Sequence, residues 1–208
     1  MVLLATARPL LPARTLLAGR GLPSVVALRG TVSAAFFATE IYVPYLLQEH
    51  YDLAVWLSGA TLTVGALGWA GASHVQARLG TRLANATALR SGALLLVAGI
   101  VSVLAAATLE LTPWLIGAAW VLAGSGMGLM YPRIGVLVLE SSAEEEQGAN
   151  TAAMSIADAA GGATAISLTG LLFTAVGTSA ELAPFVAVFV MTAALAVVSV
   201  LVSRRTTN

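Results

Sequence analysis

No cysteine and no lysine occur among the 208 residues. The first absence excludes disulfide frameworks, thiolate metal sites and cysteine nucleophiles. The second leaves arginine as the sole basic residue. Ten acids balance the ten arginines to a formal net charge of zero, so there is no electrostatic footprint for nucleic acid. Charge of either sign is scarce, at 10% of residues. Soluble-type catalytic motifs are also missing, and neither an enzyme nor a cofactor is expected. The Arg-only, Ala-rich usage suggests a GC-rich bacterial gene.

What the chain does have is apolar length. It is 58% hydrophobic with a mean hydropathy of +0.90, far outside the balance of a soluble domain. Twenty glycines and many alanines supply the small residues that let membrane helices pack closely. A helix needs roughly 20 mostly apolar residues to cross about 30 Å of hydrocarbon. Six stretches qualify, at about 25–48, 57–77, 86–107, 114–139, 150–173 and 183–203. Nothing alternates with period two, so the expected fold class is an all-α membrane protein with six transmembrane helices in one bundle. Pro113 and Pro184 stand where helices should begin. Ser142, with Glu145 three residues on, reads as a capping box before the fifth span.

The arginines orient these spans. Arg8, Arg14, Arg20 and Arg29 precede or open the first, and Arg78, Arg82 and Arg90 surround the second connection. Arg133 nears the end of the fourth, and Arg204 and Arg205 close the chain. The alternate connections carry Glu49, Asp52, Glu110 and Glu181 with no arginine. Both termini are therefore expected in the cytoplasm, with the protein in a bacterial cytoplasmic membrane. Residues 1–24 read as a cytoplasmic arm, because they lack a continuous apolar core and a small-residue cleavage site. Residues 206–208 read as a short tail.

Ionisable groups inside spans are costly, near +2.5 to +3.5 kcal/mol at a helix centre on insertion scales, and usually face a cavity or a partner. Glu40, in "FFATEIYVPYLL", falls in the outer half of the first span with Phe36, Phe37, Tyr42 and Pro44 beside it. Asp158 is expected near the midplane of the fifth span or slightly cytoplasmic of it, as a functional acid or, alternatively, held by Ser155 or by Arg133 in a structural ion pair without transport meaning. Arg133, after Tyr131 and Pro132, lies where the fourth span nears the cytoplasm and could instead snorkel to headgroups. A carboxyl poised near neutrality can load and release a proton. His50 and His74 fall on opposite sides of the membrane, so no shared metal site or triad is expected. "GSGMG" at 124–128 lacks a preceding strand and the G-x-G-x-x-G spacing. Gly124 and Gly128 instead give a close-packing face. Ala157, Gly161 and Ala165 make one side of the fifth span nearly smooth, suited to sliding or to tight packing, and Gly161-Gly162 could act as a hinge.

Six spans with both ends inside, an Arg-Gly-Arg turn after the second and a Gly-rich fourth resemble the C-terminal half of a major facilitator superfamily transporter. Among these the chain looks most like bacterial drug and small-molecule proton antiporters. The family signature G-x-x-x-D-R-x-G-R-R corresponds here to "SHVQARLGTR". Arg78, Gly80 and Arg82 agree, while Ala77 stands at the aspartate's place and Ser73 at the first glycine's. "GSGMGLMYP" and "EEEQGANTAA" are similar to the family's fourth-span and following-loop patterns. The resemblance implies two inverted three-helix repeats and alternating access about a central site. It implies that Glu40, Tyr42, Tyr131 and Phe36 or Phe37 meet a small-molecule substrate. It also implies that the second and fifth spans face another bundle, and that Arg78, Gly80 and Arg82 belong to a cytoplasmic gate. The expected function is proton-coupled efflux of a small organic compound, with Arg133 and Asp158 also candidates for substrate or proton binding. The alternative is a non-transporting membrane subunit. Besides the lipid bilayer, the partner expected is an N-terminal six-helix half or a second copy. The favoured reading of the length is a fragment of a twelve-helix protein with "ARPLLPARTLLAGRGLP" as the inter-bundle linker.

Overall fold

The computed structural model describes residues 11–206; Arg8 and the ends of the arm and tail lie outside them. Among the described residues all regular structure is helical. Six long helices run Leu22–Glu49 (α1), Val55–Leu79 (α2), Asn85–Thr108 (α3), Pro113–Glu140 (α4), Gln147–Val176 (α5) and Leu182–Ser203 (α6). Short 3₁₀ turns lie at Thr15–Leu17, Gly80–Arg82 and Glu144–Glu146. The shortest long helix has 22 residues, about 33 Å at 1.5 Å per residue. Five of the six are long and apolar enough to cross a membrane. The exception is α2, whose Ser, Thr, Gly, His74 and Gln76 dilute its apolar character.

Short connections make consecutive helices antiparallel, and contacts at each end agree. Ser24, near the start of α1, donates to the Arg205 carbonyl after α6 (2.9 Å). Asn85, opening α3, lies 3.5 Å from Glu140, closing α4. At the opposite end Tyr51 donates to the Ala106 carbonyl of α3 (3.3 Å). Burial, and after it the Glu110 charge, hold that Tyr51 hydroxyl above its ordinary range. The end carrying the chain termini is called the terminal end below, and the other the distal end.

α4 packs most extensively on α3 and α2, and α1 on α5 and α6, while α3 against α6 joins the two sets. Glycine makes the closest crossings possible. A Cβ on Gly161 would strike the Gly30 carbonyl, and a Cβ on Gly30 would meet the Ala157 carbonyl at 2.9 Å. Between α2 and α4, a Cβ on Gly124 would strike the Gly65 carbonyl and one on Gly128 the Trp69 carbonyl. Ala157 and Gly161 thus face α1 in tight packing. Ala165 continues that face against Ala34 and Ala38, and α5 runs unbroken through Gly161-Gly162. The core lies among α1, α3, α4 and α6, with Trp120, Phe185 and Phe189 fully buried. By contrast α2 buries only Ser58 and Gly65.

Two local expectations are corrected. α1, which contains the apolar stretch 25–48, begins at Leu22 with Pro23 in its first turn, where the missing N–H costs nothing. Arg29 therefore lies two turns inside the helix rather than at its opening. The Ser142–Glu145 capping box does not form. Glu144–Glu146 turn as a 3₁₀ segment into α5, and the Ser142 hydroxyl bonds the Val138 carbonyl and Asn150 instead.

A methyl group at the crossing glycines should force helices apart. We expect Gly124→Ala and Gly161→Ala each to destabilise by about 1–3 kcal/mol. Gly135→Ala, where nothing lies within 4 Å, should be neutral or stabilising by up to ~1 kcal/mol. Thermal unfolding of the detergent-solubilised variants measures the contrast.

Candidate functional site

The site is built on α1. Arg29, Ser33 and Phe36 recur at spacings of four and three, so they share one helix face. Opposite them stand Tyr131 of α4 and Asp158 of α5. The Arg29 Nε lies 3.1 Å from Asp158 Oδ1, and one guanidinium NH₂ group lies 3.5 Å from Oδ2. Neither contact is a short, well-aligned fork, so the pair is held more by charge than by bidentate geometry. The better-formed hydrogen bonds come from neutral donors. Tyr131 donates across both carboxylate oxygens (2.9 and 2.8 Å), and the Ser33 hydroxyl donates to Oδ1. Arg29 also donates to the Tyr131 carbonyl (3.2 Å) and lies over its ring, 3.1 Å from the centroid, a cation–π contact.

Burial of the pair is substantial but incomplete. The Arg29 and Asp158 side chains are 13% and 24% exposed. Counting from the terminal end, Arg29 is about 10 Å along α1 and Asp158 about 16 Å along α5. An aromatic row continues from them. Tyr131 meets Trp69 edge-on (5.0 Å), Trp69 meets Phe36 (5.4 Å), and Phe36 stacks on Trp120 (4.7 Å) and touches Phe37 edge-on (5.5 Å). Four helices, α1, α2, α4 and α5, thus meet through one continuous set of side chains.

The expected partners of Asp158 are corrected. Ser155 bonds back to the Thr151 carbonyl on its own helix. Arg133 points to the terminal end, where it donates to Asn85 (3.0 Å) and to the Gly80 carbonyl. It clamps the α2–α3 turn, and Gly80 there takes a left-handed φ of +50° that an L side chain would resist. Arg78 and Arg82 flank this turn and are exposed. Glu40 lies on the same face of α1 as Arg29, eleven residues on, and is half-buried. Phe37 approaches Gly162 of α5. Tyr42 is buried against Phe173, 5.2 Å away, and so sits apart from the Asp158 cluster. Arg29 and Ser33 are the residues that sequence reasoning missed as site members. The signal was Pro23, which places Arg29 well inside α1, with Ser33 one turn further along.

No metal-binding group of three or more His, Asp or Glu occurs among the described residues. The arrangement offers a carboxylate, a fixed cation beside it, and an aromatic wall.

The sequence profile of the Major Facilitator Superfamily matches residues 5–166, well over half of the chain. The chain belongs to that superfamily, whose members are membrane transporters rather than enzymes. No curated protein matches the chain. With its apolar helices, it is an integral, multi-pass membrane protein.

Removing the Tyr131 hydroxyl should leave the ring over Arg29 while losing both contacts to Asp158. Tyr131→Phe is expected to cost about 1.5–3 kcal/mol, the range for hydrogen bonds to a charged group. Asp158→Ala, which strands Arg29, should cost about 3–5 kcal/mol, toward the low end because the pair is part-exposed. Denaturation in detergent ranks the two.

Proposed function

We propose that the chain is one six-helix bundle of an alternating-access transporter that exports a small organic compound across a bacterial cytoplasmic membrane, coupled to protons. The observation that carries this reading is the Arg29–Asp158 pair with Tyr131 and Ser33. It is a titratable charge cluster that joins α1, α4 and α5.

In this reading α2 is the sixth span. From Trp56 to Arg78 it covers about 33 Å at 1.5 Å per residue, close to the thickness of a hydrocarbon core. Trp56 and Trp114, 75% and 67% exposed, mark the distal interface as aromatic anchors. Arginines mark the terminal end, which is then cytoplasmic. The packing of α1 on α5 and α6 mirrors that of α4 on α2 and α3, which supports two inverted three-helix repeats. The outward faces of α2 and α5 carry Thr63, Ala66, Ala70, Ser155, Ala159 and Ala163, all exposed. Small, unburied residues of this kind suit sliding contact with a second bundle, supplied by another copy or by a separate six-helix half.

The proton step follows from the cluster. With Asp158 ionised, Arg29 is neutralised and α1 is tied to α5. Protonation removes the carboxylate charge and leaves Arg29 with only the Tyr131 ring and carbonyl. The α1–α5 contact then loosens, and the bundle can rock on its small-residue faces. Glu40, about 16 Å further along the same α1 face, is the second acid and faces the substrate path with Phe37. Arg133 holds the α2–α3 turn, where Arg78, Gly80 and Arg82 form the cytoplasmic gate.

Proteoliposomes with an imposed pH gradient test this, using the full chain with whichever bundle co-purifies. Asp158→Asn should lower gradient-driven flux at least tenfold while substrate exchange without a gradient persists, and Glu40→Gln should lower both. Unchanged flux in both variants would remove the coupling role. Stable co-purification with a partner but no flux of any compound would favour a non-transporting subunit.

A further inference from the structure

A groove of about 440 Å³ runs along the outside of the bundle between α1, α5 and α6, closed at the terminal end by the turn at Thr15–Leu17. Its floor is made of small residues, among them Gly30, Ala34 and Ala160, and its walls include Leu168, Leu195 and Leu16. The same glycine that lets α1 and α5 cross closely leaves this space without side chains to fill it. Along α5 the groove extends from Ala157 to Leu168, about 16 Å of helix. It lies among three helices long and apolar enough to cross a membrane, so hydrocarbon is the surrounding that the proposal below assumes.

An apolar groove cannot by itself select one lipid, because lipid tails are as apolar as leucine. The charge at its closed end can. Arg14 and Arg20 flank the Thr15–Leu17 turn, and Arg204 and Arg205 follow α6. All four are exposed, and Arg205 donates to the Leu17 carbonyl (3.3 Å), which places the α6 end against the turn. None of the four makes an ion pair among the described residues. No acid occurs in residues 11–39 or 182–206. The acids at this end, Glu140 and Glu144–Glu146, belong to the α4–α5 connection, about 16 Å along α5 from the groove's nearest residue. Asp158, next to Ala157, is turned away to Arg29.

We infer that this corner is a binding site for an anionic phospholipid of the terminal-side leaflet. One acyl chain lies in the groove, and the phosphate sits among Arg14, Arg20, Arg204 and Arg205. Basic pockets beside transmembrane helices recognise anionic headgroups by this combination of charge and shape. Because the turn that closes the groove is tied to Arg205, a bound lipid would also pin the segment before α1 to the end of α6.

Native mass spectrometry of the purified full chain, titrated with phosphatidylglycerol or phosphatidylcholine, tests the site. One phosphatidylglycerol should bind at least tenfold more tightly than phosphatidylcholine. The double variant Arg14→Gln/Arg205→Gln should reduce that preference to within twofold. Leu168→Trp, which fills the groove from an exposed position, should weaken phosphatidylglycerol binding while leaving the arginines in place. Arg90→Gln, on exposed α3 surface, should change nothing. Equal binding of the two lipids by the unmodified chain would overturn the proposal. So would a preference that survives the double variant, or one that Arg90→Gln reduces as much, since that would reflect overall charge.

Discussion

A carboxylate within a membrane-crossing helix must find a counter-charge or give up its ionisation, and Asp158 is the point where this chain meets that constraint. The solution is assembled across a sequence separation of more than a hundred residues: Arg29 supplies the charge, Ser33 and Tyr131 the hydrogen bonds. Each donor comes from a helix that must approach α5 at a fixed depth and rotation. The cluster therefore requires the close helix crossings as much as it stabilises them. Arg29 depends on it in turn, since without Asp158 its guanidinium would keep only an aromatic face and one carbonyl.

The crossings rest on glycine. Without a hydrophobic force between helices in lipid, backbone approach and van der Waals fit drive their association. Gly30 against Gly161 and Gly65 against Gly124 bring backbones together in two places. The first of these sits next to Arg29 on α1 and about one turn from Asp158 on α5, so backbone contact and ion pair form a single joint. A joint held by a titratable charge and smooth surfaces can open by small rigid movements, whereas interlocked large side chains would resist them. The same economy of side-chain volume leaves the groove between α1, α5 and α6. Packing, the proposed proton response and the proposed lipid site thus share one cause.

Much of this was legible in the sequence. Six apolar runs separated by polar breaks gave six helices, and an acid in the run "SIADAAGG" marked Asp158. Gly124, Gly128 and Gly161 were legible as small-residue spacings. What escaped were facts of register and distance. Arg29 counted as a flanking charge until the helix start moved to Leu22, and one turn of helix decides whether an arginine is outside a span or within its packed interior. Its pairing with Asp158 depends on how α1 rotates against α5, and no local spacing records that. The apparent capping box at Ser142 fails because its hydroxyl is taken by the Val138 carbonyl and Asn150, with Glu144–Glu146 in a separate 3₁₀ turn. Arg133 was legible as an interior charge but not in its direction, which a long flexible stem leaves open. The stretch 57–77 counted as a qualifying span, whereas α2 falls short of the apolar character of the other five, and no local spacing records its near-complete lack of burial.

The most direct measurement is the distance between α1 and α5 as a function of pH. Because the chain has no cysteine, a pair of spin labels at Ile41→Cys on α1 and Ser155→Cys on α5 would be unique, both sites being exposed. If protonation of Asp158 releases Arg29, the distance distribution should broaden and lengthen as pH falls, and Asp158→Asn should show the lengthened distribution at every pH. A distribution that is the same at all pH values, in both the unmodified cluster and Asp158→Asn, would contradict the claim that this ion pair is the joint on which the bundle moves.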